Sequence, residues 1–293
     1  SADDNNSSKF AYNTQNLAAT FADKNVGSGK SINLSGITLS GTAANNYTLT
    51  AVQGLTASIT PKLLTISAAK VYDGTTALTG AVTISTGIAG ESLTYSGATA
   101  SSSQVLANTN YVSAINLANQ AGASSSSGGL VSNYQLPDLT RSSGANIVSI
   151  TPRPLSADFS ASTPTKVYDG SRAAVVNGAL VGASSPSAAV VGSDQVSLGY
   201  SSATYDTYLA GSVKSVSVAG LALLGRDAGN YSLTGSSATI STGVITPKPL
   251  SISGLVINDK VYDGTTAATV ASATGLTISG VVGRDAIGPN IGT

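Results

Sequence analysis

The sequence predicts an all-β protein made of tandem repeats, and two patterns carry that prediction. Apolar side chains fall at every second residue in many short segments, and three short motifs return in a fixed order at one long period. Ser31–Leu39 and Ser212–Leu221 alternate clearly, and Leu63–Ser67, Gln195–Tyr200 and Ala238–Ile245 read the same way. A period of two turns one strand face to a core and the other to water. Ser/Gly/Asn clusters such as Ala123–Gly129 separate these segments and read as turns. Ala183–Val191 is alanine-rich, but Pro186 and its serines argue against a helix.

Lys-Val-Tyr-Asp-Gly occurs at Lys70–Gly74, Lys166–Gly170 and Lys260–Gly264, with tyrosines 96 and 94 residues apart. Asn-Tyr-x-Leu occurs at Asn46–Leu49, Asn133–Leu136 and Asn230–Leu233. Ile-Thr-Pro followed by Lys or Arg falls at Ile59–Lys62, Ile150–Arg153 and Ile245–Lys248. Cutting after each Ile-Thr-Pro gives 1–61 (the C-terminal part of a unit), 62–152 and 153–247 (complete units) and 248–293 (the N-terminal part of a unit). The expectation is a window on a longer chain, with neighbouring repeats as partners. The alternative is that the two partial units complete each other between molecules.

Each element of a unit has a reading. Tyr72-Asp73-Gly74, Tyr168-Asp169-Gly170 and Tyr262-Asp263-Gly264 read as Asp-Gly turns whose tyrosine rings pack as anchors. Near the end of a unit, an alternating strand leads into Asp227-x-Gly229-x-Tyr231-x-Leu233, with weaker copies around Tyr47 and Tyr134. That arrangement matches the tyrosine corner of immunoglobulin-type sandwiches, with Leu233 in the inward position that holds a cysteine in antibodies. The predicted fold is therefore a series of Ig-like β-sandwich repeats of about seven strands each. The alternatives are β-grasp units or a β-helix, although a coil period near 20–25 residues is not found. Proline in Ile-Thr-Pro suits a strand boundary, because it cannot donate to a ladder. With no flexible linker between Ile59 and Ile66, adjacent units are expected to couple tightly into a rod.

Composition excludes most chemistry. Fourteen Lys+Arg balance fourteen Asp+Glu, so no basic surface is present to bind nucleic acid. Charged residues make up 10 % of the chain, against about 25 % in an ordinary soluble domain. His, Cys, Met and Trp are absent, which removes thiolate chemistry, Ser–His–Asp triads and the common zinc sites. No enzyme activity, cofactor or metal is expected. No apolar run approaches the ~18 residues of a membrane span, so no membrane insertion is expected.

Lys70–Ala77 and Lys260–Ala267, Phe21-Ala-Asp-Lys-Asn-Val-Gly27, Ala228–Leu233 and Ile245–Leu250 resemble the YDG and MBG-type repeats of large bacterial adhesins of the filamentous-haemagglutinin class. Ser171-Arg172 depart from that pattern, standing where the other two copies have Thr-Thr. The resemblance implies a cell-surface or secreted protein of a Gram-negative bacterium, often exported by a two-partner route. It further implies a stalk or filament segment used in attachment and biofilm formation.

Sharper chemical readings are weaker. The recurring Asp73, Asp169 and Asp263 suggest calcium or sugar, but calcium needs about six to eight oxygens and no acidic cluster surrounds them. Tyr205 and Tyr208, with Tyr200 nearby, suggest a sugar-stacking platform and hence a carbohydrate-binding module contacting polysaccharide or a host surface. Gly225-Arg226-Asp227 and Gly283-Arg284-Asp285 transpose a known integrin-binding tripeptide. Glu91, the only glutamate, would have to serve any Lys–Asn isopeptide crosslink. Asn5, Asn6, Asn33, Asn46 and Asn230 sit in formal glycosylation triplets.

Overall fold

In each unit the structure, a computed structural model, places two strands from the start of a complete repeat beside two from its end, running parallel. It describes residues 11–13, 15–50, 52–106, 109–123, 128–183, 189–283 and 285–288. The chain is all-β, as the period-two segments predict, and helical turns among the described residues are three-residue 3-10 turns. It divides into two compact units, Ser1–Thr151 and Pro152–Thr293, and the division falls inside the second Ile-Thr-Pro. Each unit contains one complete repeat and one partial one. No helix among the described residues is long and apolar enough to cross a membrane.

In the first unit, strand Thr65–Val71 lies antiparallel to Val82–Ser85 on one side and parallel to Asn146–Thr151 on the other. A hairpin of Leu93–Ala100 and Val112–Asn119 joins this sheet through a bridge between Tyr111 and Ile147. Alternation sends Leu64, Ile66 and Ala68 inward from the first strand and Val148 and Ile150 from the last. Tyr72, Leu78 and Val112 join them in the core. The preceding partial repeat is a three-stranded sheet in which Gly27–Ser35 pairs with Ala18–Phe21 and with Thr56–Ile59.

The second unit builds its complete repeat from two principal layers. Arg153–Asp158 lies between Ala179–Gly182, antiparallel, and Tyr231–Thr234, parallel. A four-stranded sheet runs in the order Thr165–Val167, Ser237–Thr246, Gly211–Ala219, Ser202–Tyr205. Its inward residues Ala203, Tyr205, Val216, Val218, Ile240 and Ile245 pack against Phe159 and Val176. Burying each large apolar side chain contributes about 1.5–3 kcal/mol, and with no cysteine for a disulfide this packing has to hold the repeat. In the partial repeat that follows, Ser251–Ser253 pairs with Thr277–Ser279 and Val256–Ile257 with Val270–Ser272.

This layered packing accords with a sandwich. A β-grasp unit needs a long helix across its sheet, which is absent among the described residues. A β-helix needs coil-on-coil parallel pairing, whereas most strand pairs among the described residues are antiparallel.

One irregularity recurs at equivalent places. The strand after the first hairpin loop carries a bulge between Gly27 and Lys30, and again between Gly211 and Lys214. Gly29 has φ 58° at the first bulge and Val213 has φ 59° at the second. A β-branched residue pays strain in that region that glycine does not.

Candidate functional site

The three Tyr-Asp-Gly turns share one construction. The Asp73 carboxylate accepts the Thr75 backbone N–H at 2.9 Å, and Gly74 takes φ 78°, which lets the chain reverse. Asp169 and Asp263 do the same with Ser171 and Thr265, at 2.8 and 2.9 Å. The lysine that opens each motif folds over the turn. Lys70 Nζ lies 2.6 Å from Asp73 Oδ1 and donates to the carbonyls of Thr75 and Ala77. Lys166 and Lys260 bind Asp169 and Asp263 at 2.7 and 3.0 Å. Lys166 also stands 5.7 Å from the centre of the Tyr205 ring.

The lysine contact and the backbone N–H hold the Asp169 carboxyl down at about 2. Burial works against ionisation of Asp73, but the Lys70 and Thr75 bonds outweigh it and its pKa is also lowered. These carboxylates are thus spent on a turn.

The motifs mark where each repeat closes. Ile150 and Thr151 pair with Lys70 and Val71, and Ile245 and Thr246 pair with Lys166 and Val167, in the same parallel register. The ladder then ends identically: the Tyr72 N–H donates to Thr151 O and the Tyr168 N–H to Thr246 O, both at 2.9 Å. The next residue is Pro152 or Pro247, which has no N–H to continue it. Asn-Tyr-x-Leu makes a second parallel pairing, Tyr134 beside Lys62 and Tyr231 beside Arg153. A 3-10 turn precedes each of Tyr47, Tyr134 and Tyr231.

The hydroxyls of Tyr134 and Tyr231 do not return to nearby backbone as in an immunoglobulin corner. Tyr134 donates to Glu91 Oε2 at 2.5 Å, 43 residues upstream, and Tyr231 to Asp194 Oδ2 at 2.6 Å, 37 residues upstream. Burial and the Glu91 hydrogen bond push the Tyr134 phenol up to about 12. Leu233, placed inward by the corner reading, is only half-buried.

The same carboxylate position also joins consecutive repeats within a unit. Glu91 Oε1 takes Lys24 at 2.7 Å, from the hairpin loop of the preceding repeat. Asn133 accepts the Val26 N–H and donates to Asn25, both at 2.9 Å. The Lys24 and Tyr134 bonds lower the Glu91 pKa. In the second unit, Asp285 Oδ2 accepts the Tyr168 hydroxyl at 2.8 Å, while Leu209 and Ala210 of the hairpin loop line the same joint. A Cβ on Gly170 would lie 2.9 Å from Val282 there. Open clefts of about 340 and 300 Å³ occupy the two joints. Val26, Lys62, Ile88 and Glu91 in the first correspond to Ala210, Lys248, Val282 and Asp285 in the second.

Other predicted residues fall differently. Tyr72 is buried and Tyr168 half-buried, but Tyr262 is 92 % exposed. Tyr134 and Tyr231 are buried, but Tyr47 is 55 % exposed. The sugar platform is corrected at Tyr205, which is only 1 % exposed because alternation along Ser202–Tyr205 sends its ring into the core, while Tyr208 and Tyr200 stay exposed. Asn230 is buried, so a glycan cannot be attached there in the folded chain, whereas Asn33 and Asn46 are exposed. Asp227 accepts the Gln195 N–H at 2.8 Å and the Arg226 guanidinium at 3.0 Å, which spends the first transposed tripeptide within its own turn. Asn5, Asn6, Arg284 and Ser184–Ala188 lie outside the described residues.

Sequence reasoning missed the acid shared by the closures and joints. Glu91, Asp194 and Asp285 each follow a glycine by one or two residues, and that is their only signal. The loop between them and Tyr-Asp-Gly varies in length, which breaks the period.

Compared with known proteins, the chain matches the family model described as YDG domain over residues 3–54, 151–240 and 246–293. No curated protein and no solved structure shows a match to it.

Proposed function

Because the chain belongs to the YDG domain family, we propose that it is a structural segment of a bacterial extracellular adhesin. In that role it forms part of a stalk or filament that holds binding regions away from the cell surface during attachment or biofilm formation. The observation that carries this reading is the repeated use of one closure and one joint position, in which polar side chains are spent on holding the repeat shut. Glu91 binds both its own repeat and the preceding one. Asp73, Asp169 and Asp263 bind the lysine and backbone of their own turns. A chain without His, Cys or Met offers little to oxidise or to titrate near neutral pH, which suits exposure outside the cell.

The test is removal of one complete repeat, residues 153–247, in frame from the surface protein that carries it. The expected result is a shorter projection in electron micrographs with unchanged affinity for whatever the adhesin binds. Loss of that affinity, or direct binding of matrix polysaccharide by the isolated chain, would contradict the spacer role.

A further inference from the structure

The second complete repeat holds the one place in the sequence where an asparagine precedes a glycine, Asn177-Gly178. Core packing demands that glycine. Its φ is not positive, so no left-handed turn requires it, but a Cβ there would lie 2.6 Å from Phe159 Cε1 and 2.7 Å from Leu198 Cδ2. Packed carbons sit about 3.5–4.0 Å apart, so no larger residue fits. Phe159 is buried in the core of the repeat and Leu198 packs against it. Residues 174–178 belong to neither strand nor turn, and within them Val176 is buried while Asn177 is exposed. This stretch is loosely tied. The Asn177 N–H donates to Ser162 Oγ at 3.3 Å and the Val176 N–H to Tyr200 Oη at 3.4 Å, both beyond the usual range of about 2.7–3.2 Å. The Asn177 side-chain amide has no hydrogen-bond partner among the described residues.

We infer that Asn177 is a self-modification site, at which the Gly178 nitrogen attacks the side-chain carbonyl and water completes the conversion to isoaspartate. The Gly178 N–Cγ bond forms, the Cγ–Nδ2 bond breaks, and ammonia leaves with the proton of the Gly178 N–H. Water then opens the five-membered imide. Attack at its main-chain carbonyl gives the isoaspartyl link and attack at its side-chain carbonyl gives aspartate, so either product has lost one ammonia and gained one water. Glycine brings no Cβ to crowd the ring, and irregular backbone lets Asn177 turn toward it. The Asp-Gly pairs at 73–74, 169–170 and 263–264 could form the same ring, but their turns prevent it. Each aspartate has a lowered pKa and is ionised near neutral pH, and a carboxylate accepts a nucleophile poorly. Each is also held by a lysine and by the N–H two residues on. Nothing holds the Asn177 amide in that way. The isoaspartyl link lengthens the main chain by one methylene and adds a carboxylate beside Val176, which is buried in one cluster with Phe159. Close-packed cores tolerate such a shift poorly, so the conversion loosens the second unit. The inference goes beyond the adhesin role and does not depend on it.

The full chain is aged in mildly alkaline buffer beside a sample unfolded in urea, and its peptides are mapped by mass spectrometry over time. The expected result is exchange of ammonia for water in the peptide that carries residue 177, in the folded chain as well as the unfolded one. A protein isoaspartyl methyltransferase is expected to methylate that peptide from the aged chain. Asn177→Gln, at an exposed position, is expected to lose the signal, because its longer side chain would have to close a less favourable six-membered ring. Calorimetry of the aged chain should show the transition of the second unit shifted down, with no such shift in aged Asn177→Gln. Three outcomes would overturn the inference. They are conversion at residue 177 only in the unfolded sample, conversion to aspartate without any isoaspartate, and a converted chain whose second unit melts where the fresh one does.

Discussion

At the scale of single residues, the lysine of Lys-Val-Tyr-Asp-Gly explains most about the motif. Its ammonium ties the aspartate to the carbonyls of the turn it spans. Lys70→Met keeps the aliphatic stem and removes those bonds, and is expected to cost about 1–3 kcal/mol. Urea unfolding of the variant checks this, as a lowered midpoint at unchanged slope. Two pH limits follow from the shifted groups. Asp169 is depressed from 3.8 to about 2 in the folded state, so its contribution is present above 3.8 and is lost as pH falls toward 2. Tyr134 is raised from 10.0 to about 12, so its contribution is complete below 10 and is lost as pH rises toward 12. Melting temperature followed across both windows should fall in each. Asp169→Asn should flatten the acid arm and Tyr134→Phe the alkaline arm.

At the scale of elements, the strands were legible and their partners were not. Alternation in Ser212–Leu221 and Ala238–Ile245 located Gly211–Ala219 and Ser237–Thr246 closely, because the period of two depends only on which face is wet. It is silent on whether a neighbour runs parallel or antiparallel. The pairing of Thr165–Val167 with the far end of its repeat therefore had to be seen. Tyr205 failed as a platform for the same reason: a tyrosine reads identically on either face until its register is known. The acids at 91, 194 and 285 lie in loops of unequal length, where no period survives. The bulge at Val213 yields a further expectation, since glycine already fills the matching position 29. Val213→Gly should relieve the left-handed strain and stabilise the second unit by up to about 1 kcal/mol after the entropy cost of glycine. Denaturant unfolding measures it, and destabilisation would show that Val213 is not strained.

At the scale of the whole molecule, the chain divides into two compact units inside Ile-Thr-Pro, and each owns its core. Ile245 is fully buried in the second unit, and Ile245→Ala is expected to cost about 2–5 kcal/mol. Calorimetry should show the loss in one transition, with the other left in place. The three motifs found by period alone turn out to be the sites where distant ends of a repeat pair in parallel. The backbone amides of Tyr72 and Tyr168 report on that directly, since each donates to the threonine that ends its repeat. Hydrogen exchange of these two amides, measured by NMR against those of Gly74 and Gly170 in the adjacent turns, is expected to be slow at both tyrosines. Exchange at Tyr72 or Tyr168 as fast as at the turn glycines would mean that the repeats do not close through this pairing.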